Sequence, residues 1–358
     1  MIDRCFSRNP PRRRALFHWG AGLVWGAWLL AVAPRAPGSE PAATTDESIA
    51  DDEDSDVPNR KRSLLAKTLG GRQFWADVEF FHSWRIQQHV QTRHYRLLDG
   101  DDYRHVSGTR AECHQALQQI RTERKLPPMS GEAVILIHGL VRSSKSMGKL
   151  QQRLDLEEEG MQTFSFGYPS TQIDIPRAAE YLHSAIESLE GIERIHFVVH
   201  SMGGLVVRAY LAEHSDPRIG RLVMIATPNQ GADLADRFQK VGWFRALAGP
   251  AGQQLTRGAD GFIAGLPTPA IEFGVIAGGR GNNRGYNPLI PGDDDGTVSV
   301  ECTRLEGARD FVVLDHLHTF LITAPQTREY TVRFLKEGRF RDDAEPTPIV
   351  SNDELELE

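Results

Sequence analysis

Residues 192–214 read Ile-Glu-Arg-Ile-His-Phe-Val-Val-His-Ser-Met-Gly-Gly-Leu-Val-Val-Arg-Ala-Tyr-Leu-Ala-Glu-His, and this stretch decides the fold. Ile192 to His200, rich in β-branched residues and ending in Phe-Val-Val-His, reads as a strand. From Gly203 to His214 the apolar positions follow helical spacing. Between them stands His200-Ser201-Met202-Gly203-Gly204, which leaves room only for a sharp strand-to-helix turn. Such a turn holds its central Ser in a strained conformation with the hydroxyl exposed above the sheet edge. Small residues two and three places further on let the helix approach the strand. The free amides and positive dipole of the helix N-terminus then face the place where an oxyanion would develop.

Outward from this turn the same alternation continues in both directions. Glu132 to His138 is a continuous apolar run bounded by Gly131 and Gly139, and Ser143 to Glu159 carries helical spacing that ends at Gly160. Met161 to Gly167 predicts a second strand, and Ile175 to Leu189 a helix with Pro176 in its first turn and Gly191 just past its end. Arg221–Ala226, Ile271–Ala277 and Asp310–Leu314 complete the strands, and Thr327–Glu337 closes the domain as a helix. Strand–helix alternation predicts an α/β fold, a doubly wound and mostly parallel sheet with helices on both faces and right-handed crossovers. Ligands of such sheets bind at the carboxyl ends of the strands. Residues 64–130 differ. Gln73–Val90 alternates apolar and polar residues with many aromatics, Tyr95–Leu98 suits a hairpin with it, and Thr109–Arg124 looks helical. This predicts an antiparallel edge on the N-terminal side.

Val199 to Gly203 resembles the Gly-x-Ser-x-Gly elbow of the α/β-hydrolase family, in its lipase and esterase branch. Val199 stands where the motif has Gly; similar lipases carry Ala there. The resemblance spans roughly residues 131–340 and implies the α/β-hydrolase fold with Ser201 as nucleophile. It makes His138-Gly139-Leu140 the family's His-Gly turn, with the backbone N–H groups of Leu140 and Met202 as the oxyanion hole. His138 precedes the nucleophile and so stands in the wrong chain order for the base, which leaves it to brace the loop.

The family order is Ser, acid, His. The acids after Ser201 cluster in Gly292-Asp293-Asp294-Asp295-Gly296-Thr297-Val298. Three adjacent carboxylates repel one another and ordinarily form a solvated loop or a cation site. Lipase-like relatives place their acid directly before a Gly followed by a small residue and Val, which selects Asp295, with Asp294 as the alternative. In Asp315-His316-Leu317-His318-Thr319-Phe320-Leu321 the same relatives favour His318 over His316 as base. A zinc pair of His316 and His318 is the rival reading, and it lacks a second ligand cluster. Thr227-Pro228-Asn229-Gln230-Gly231 resembles the turn that lines the acyl site of lipases. Residues 232–268 insert a Gly-rich amphipathic stretch with Phe238, Trp243, Phe244 and Leu247, either an ordinary crossover or a small lid or acyl-binding wall.

The ends of the chain are unlike its body. Residues 1–34 hold five Arg and one Asp, and Arg12-Arg13-Arg14 followed by an apolar stretch to Ala33 forms a targeting segment over 1–38. It is either a cleaved signal peptide, with a loose twin-arginine match, or an uncleaved anchor, so the body is expected outside the cytoplasm, periplasmic or extracellular. Residues 39–62 form an acidic linker, 63–340 the hydrolase domain, and 341–358 an acidic tail with no base from 342 onward. The tail and linker are expected to be solvated. A net charge of −7 in 358 residues argues against nucleic acid as a partner. Three cysteines, Cys5, Cys113 and Cys302, exclude a disulfide scaffold, although export would permit one bond between Cys113 and Cys302. No cofactor or metal is expected. The expected partner is a small-molecule or lipid ester, with a membrane surface as a further candidate; oligomeric state stays open. The expected activity is carboxylic ester hydrolysis through an acyl-enzyme. An acyltransferase, a thioesterase or lipid deacylase with the same site, and a non-catalytic binding protein on the same fold are the alternatives.

Overall fold

A computed structural model describes residues 66–67, 72–157 and 161–350. The targeting segment, 1–38, and the acidic linker, 39–62, lie outside the described residues. Among the described residues no helix is long and apolar enough to cross a membrane.

Five antiparallel strands come first: β1 (Ala66–Lys67), β2 (Trp75–Phe81), β3 (Trp84–His89), β4 (Tyr95–Leu98) and β5 (Tyr103–Gly108), in the order β1-β5-β4-β3-β2. The aromatic stretch 73–90 is itself a hairpin, turning at His82 with φ 50°, and β4 pairs with its second arm. Helix α1 (Arg110–Glu123) starts on a capping box: Thr109 Oγ1 accepts from Glu112 N, and the Glu112 carboxylate accepts from Thr109 N.

Six parallel strands follow: β6 (Gly131–Ile137), β7 (Met161–Phe166), β8 (Ile192–His200), β9 (Ile219–Ile225), β10 (Phe273–Gly278) and β11 (Asp310–Leu314). Their order is β7-β6-β8-β9-β10-β11, and each neighbouring pair is parallel. Between and after them run α2 (Gly148–Glu157), α3 (Ile175–Glu187), α4 (Gly203–Glu213), α5 (Asp233–Phe238), α6 (Gly242–Gln253), α7 (Val300–Thr303), α8 (His318–Leu321) and α9 (Pro325–Glu337). Alternate strand residues point to two cores. Ile135, Ile137, Phe197 and Val199 join Leu182 of α3 and Leu205 of α4. Val134, Leu136, Val198 and Val223 join Leu150 of α2 and Leu335 of α9. Burial on both faces is why the strands read as unbroken apolar runs. This is the α/β-hydrolase fold, a doubly wound α/β sheet with an antiparallel element on its N-terminal side.

The antiparallel strands form a sheet of their own. Ala76, Val78 and Phe80 of β2 enter the same core as α3, and the Phe80 and Phe164 rings lie 5.2 Å apart. The link to the parallel sheet is one reciprocal pair rather than a ladder. Asp77 N donates to the Gly167 carbonyl at 2.9 Å, and Gly167 N donates to the buried Asp77 carboxylate at 2.6 Å. A bulge between Asp77 and Glu79 breaks the register at this point, so β2 leans on the end of β7 without extending the sheet.

Two details lie beyond what the sequence reading gave. Residues 341–349 of the tail are not free: the Asp310 carboxylate accepts from Phe340 N and Thr347 N, and Ile349 exchanges backbone hydrogen bonds with Gly307 and Ala308. Charge pattern alone does not show that a buried Asp310 waits for these amides. Cys113 in α1 and Cys302 in α7 are both buried free thiols, so the bond that export would permit is not formed.

Replacing Asp77 tests how much the inter-sheet link contributes. Asp77→Ala leaves the Gly167 N–H and the Gln87 amide that donates to Asp77 at 2.7 Å without their acceptor, and removes one of the two carboxylates beside Arg85. We expect a loss of about 3 kcal/mol in unfolding free energy, measured by urea denaturation. A loss under about 0.5 kcal/mol would mean that apolar packing alone joins the two sheets.

Candidate active site

The chain runs outward from β6 to β7 and then returns to β8 beside β6, so the order reverses between β6 and β8. A doubly wound sheet opens a crevice at that reversal, and the loops after those two strands border it. His138-Gly139-Leu140 follows β6, and Ser201 follows β8.

Ser201 sits at φ 55°, a left-handed conformation that costs a non-glycine residue about 1–2 kcal/mol. The turn persists because its neighbours leave no alternative. Ser201 N donates to the Ile225 carbonyl at 2.8 Å. A Cβ on Gly203 would lie 2.6 Å from the Ile137 carbonyl oxygen, and one on Gly139 would lie 2.8 Å from the Ser201 Cβ. Only glycine lets the two loops meet. Val199, the departure from the motif, still lies within β8, paired with Ile137 and Met224, and its side chain is buried in the core away from the turn.

Among the described residues neither the Leu140 N–H nor the Met202 N–H finds an acceptor in the chain. Val141, the next residue, has φ 56° and is 56% exposed, and its N–H donates to Ser170 Oγ at 3.1 Å. A β-branched residue in this region is an outlier, and such strain collects at functional loops. His138 lies beneath, fully buried and stacked on Tyr168 with ring centroids 4.4 Å apart. Its Nδ1 pairs with the Gly139 carbonyl at 2.8 Å, and the Tyr168 hydroxyl donates to the His138 carbonyl at 2.8 Å. Burial holds its pKa down at about 4, so the ring is neutral and serves as a brace.

The three adjacent aspartates divide three ways. Asp293 accepts from Arg280 N and Gly281 N, and Asp294 from Asn287 N and Gly296 N, so both shape the loop. Asp295 is buried. Its Oδ1 accepts from Thr297 N and Val298 N, and its Oδ2 lies 2.7 Å from His318 Nδ1. The His318 N–H donates to the Asp295 carbonyl at 2.8 Å, which locks the two backbones together. Of the residues that sequence left open, Asp295 and His318 are thus brought together, while the Asp294 carboxylate binds backbone amides of its own loop. His200, beside Ser201, is buried with its ring 4.7 Å from that of His318, and its Nε2 lies 3.1 Å from the His318 carbonyl. Burial, reinforced by the nearby His318, holds His200 well below the usual histidine range. The Ser201 hydroxyl makes no hydrogen bond among the described residues; in ligand-free sites such contacts are commonly long and close only around substrate.

Sequence reasoning did not single out Arg142, which donates to Thr319 Oγ1 at 2.8 Å and so ties the oxyanion turn to the residue after His318. Nor did it find Ser170 or Tyr168, whose loop partners are about 30 residues away in the chain. In the insertion, α6 kinks at Gly249-Pro250, and a Cβ on Gly252 would touch the Leu140 side chain at 3.4 Å. The turn at Thr227–Gly231 is fixed by Asn229 Nδ2 donating to the Thr303 carbonyl.

Comparison with known proteins adds the following. A family described as a domain of unknown function, DUF7379, matches residues 101–254, less than half of the chain. No curated protein matches significantly. Among solved structures, the chain is similar to phospholipase PlaB from Legionella pneumophila at 19% identity and TM-score 0.43, covering 59% of this chain and 61% of PlaB. It spans about three fifths of that protein. It is also similar to the lipase BlEst2 of Bacillus licheniformis in mature form (18% identity, TM-score 0.43, 58% of this chain and 90% of that one). A third is the metagenomic carboxyl esterase MGS0156 (19%, 0.41, 54% and 66%).

The buried His138 makes stability pH-dependent. Its folded pKa is depressed, so its contribution is complete above the unfolded value and is lost as pH falls toward the folded one. With an unfolded pKa near ~6.5, going from about pH 7 to about pH 5 should remove roughly 2 kcal/mol through this residue. His138→Asn should reduce that acid sensitivity in urea unfolding at the two pH values, although it is less stable throughout. An equal loss in both proteins would show that His138 does not carry the effect.

Proposed function

We propose that this chain is a serine hydrolase that cleaves carboxylic esters, with Ser201, His318 and Asp295 as its triad and Leu140 and Met202 as its oxyanion hole. The observation that carries this reading is the 2.7 Å contact between His318 Nδ1 and buried Asp295, set beside a strained Ser at the switch point of the sheet. In the first half-reaction Ser201 Oγ attacks the ester carbonyl while His318 Nε2 takes its proton. The oxyanion faces the two free N–H groups. Collapse breaks the bond to the alkoxide, which leaves with the proton from His318. Water then attacks the acyl-enzyme with His318 again as base, releasing the acid and restoring Ser201. Asp295 keeps the proton on Nδ1 and stabilises the imidazolium.

Val141, Leu317 and Phe320 adjoin these groups in the chain and are exposed, Phe320 to 60%. An apolar mouth of this kind suits the acyl chain of a lipid or other apolar ester. Helix α6, against Leu140, is then the wall of the acyl site. The basic and apolar N-terminal segment supports export of this domain, as a secreted or membrane-anchored form.

A fluorophosphonate probe tests the proposal. Wild-type protein should label at Ser201, and Ser201→Ala should lose labelling and ester hydrolysis together while its melting temperature stays nearly unchanged. Asp295→Asn should fold and lose about 10⁴ in kcat, because the amide holds His318 in the wrong tautomer. A folded wild-type protein that neither labels nor hydrolyses p-nitrophenyl esters, with detergent present, would establish a non-catalytic protein on this fold.

A further inference from the structure

A cavity of about 480 Å³ lies between the antiparallel sheet and the oxyanion turn. His138, Val141 and Arg142 form one side of it, and Trp75, Arg85 and Arg96 reach it from β2, β3 and β4. Three of its lining residues are arginines and one, Asp102, is an acid, in a chain whose net charge is −7. His138 adds no charge, since burial keeps it neutral. Positive charge is therefore concentrated where the chain as a whole is negative.

Each guanidinium is held in place. Arg85 pairs with Asp102, which also receives Lys145 Nζ at 2.9 Å. The buried Arg96 lies flat on the Trp75 ring, 3.9 Å from its centroid, and donates through Nε and a terminal nitrogen to the Gln87 amide oxygen. Arg142 makes no ion pair among the described residues; its hydrogen bond goes to the neutral Thr319 hydroxyl. Bringing like charges to one cavity works against folding, and burying a guanidinium adds a desolvation cost. Fold stability accounts for Arg85, which faces both Asp102 and the buried Asp77, but not for Arg142, which faces no carboxylate among the described residues. An oriented guanidinium is instead the donor best suited to the two oxygens of a carboxylate or phosphate.

We propose that this cavity is a subsite for an anionic group, carboxylate or phosphate, carried by the ester substrate, with Arg142 joining it to the reaction centre. The proposal rests on the hydrolase reading above for its substrate, but not for its anion binding. Arg142 stands two residues past the Leu140 donor and touches the residue after His318, so an anion that it holds lies alongside the bound ester. Val141 places the intervening backbone in its strained turn, with Ser170 as the anchor.

Two matched substrate pairs test this on the full chain. One is soluble dihexanoyl phosphatidic acid against dihexanoylglycerol. The other is mono-p-nitrophenyl glutarate against p-nitrophenyl valerate. We expect kcat/KM to favour the charged member of at least one pair by tenfold or more, with the ratio falling toward one in Arg142→Gln and rising again in Arg142→Lys. Preference in the first pair identifies phosphate as the source, and preference in the second identifies carboxylate. Binding to the Ser201→Ala protein, followed by calorimetry, repeats the comparison without chemistry: charged ligands should bind at least tenfold more tightly than neutral ones, and Arg142→Gln in that background should abolish the difference. Equal affinity and equal kcat/KM for charged and neutral members overturn the subsite. Selective binding without turnover would keep the subsite and reject the hydrolase.

Discussion

The site depends on one steric constraint, the approach of two backbones at the carboxyl ends of β6 and β8. Gly203 lies so close to the Ile137 carbonyl, and Gly139 so close to Ser201, that neither position has room for a Cβ. That contact accompanies the left-handed conformation of Ser201. It also explains why the motif tolerates Val199. The crowded atoms belong to the residues after the nucleophile, whereas Val199 sits in the pleat of β8 with its side chain in the core.

Three histidines near this contact show how environment assigns different work to one side chain. His138 and His200 are buried, kept neutral by desolvation, and used as hydrogen-bonding struts. His318 is partly exposed and faces a buried carboxylate. The struts are not independent of it. His200 pairs with the His318 carbonyl, and its buried Nδ1 has no hydrogen-bond partner among the described residues. A group left in that state is costly, which is the sort of local penalty tolerated where geometry matters more than stability.

How far the sequence could be read follows from where each signal resides. The parallel strands were legible because burial on both faces writes an unbroken apolar run, and the predicted Ile192–His200 and Asp310–Leu314 agree with the observed strands. Ser201 stood out because it falls in a short local pattern directly after a strand, whereas Asp295 and His318 were selected only through the resemblance of their short motifs to those of lipase-like relatives. The antiparallel sheet was only partly legible. Its key residue, Asp77, is a buried acid whose partner is the backbone of Gly167, 90 residues on, and no local pattern reports such a contact. The same holds for Arg85, Arg96 and Arg142. Each looks like an ordinary surface arginine in sequence, and only the packing of one sheet against another loop brings them to a common cavity.

The acid loop shows how an electrostatically unfavourable run becomes a positioned base. Asp293 and Asp294 are neutralised in effect by backbone amides, each carboxylate accepting at least two N–H groups from the loop that it organises. Amide donors offset the mutual repulsion of adjacent carboxylates without bringing in cations. Asp295 gains a fixed orientation from the same device, one oxygen bound to Thr297 and Val298 and the other left for His318. Because the His318 amide is itself bonded to the Asp295 carbonyl, acid and base are joined at both backbone and side chain. Ser201 belongs to a different unit, the glycine contact between β6 and β8, and in the proposed reaction the ester lies between the two. Arg142 links the two through Thr319, and His200 links them through the His318 carbonyl, so a change at one is felt at the other through named contacts.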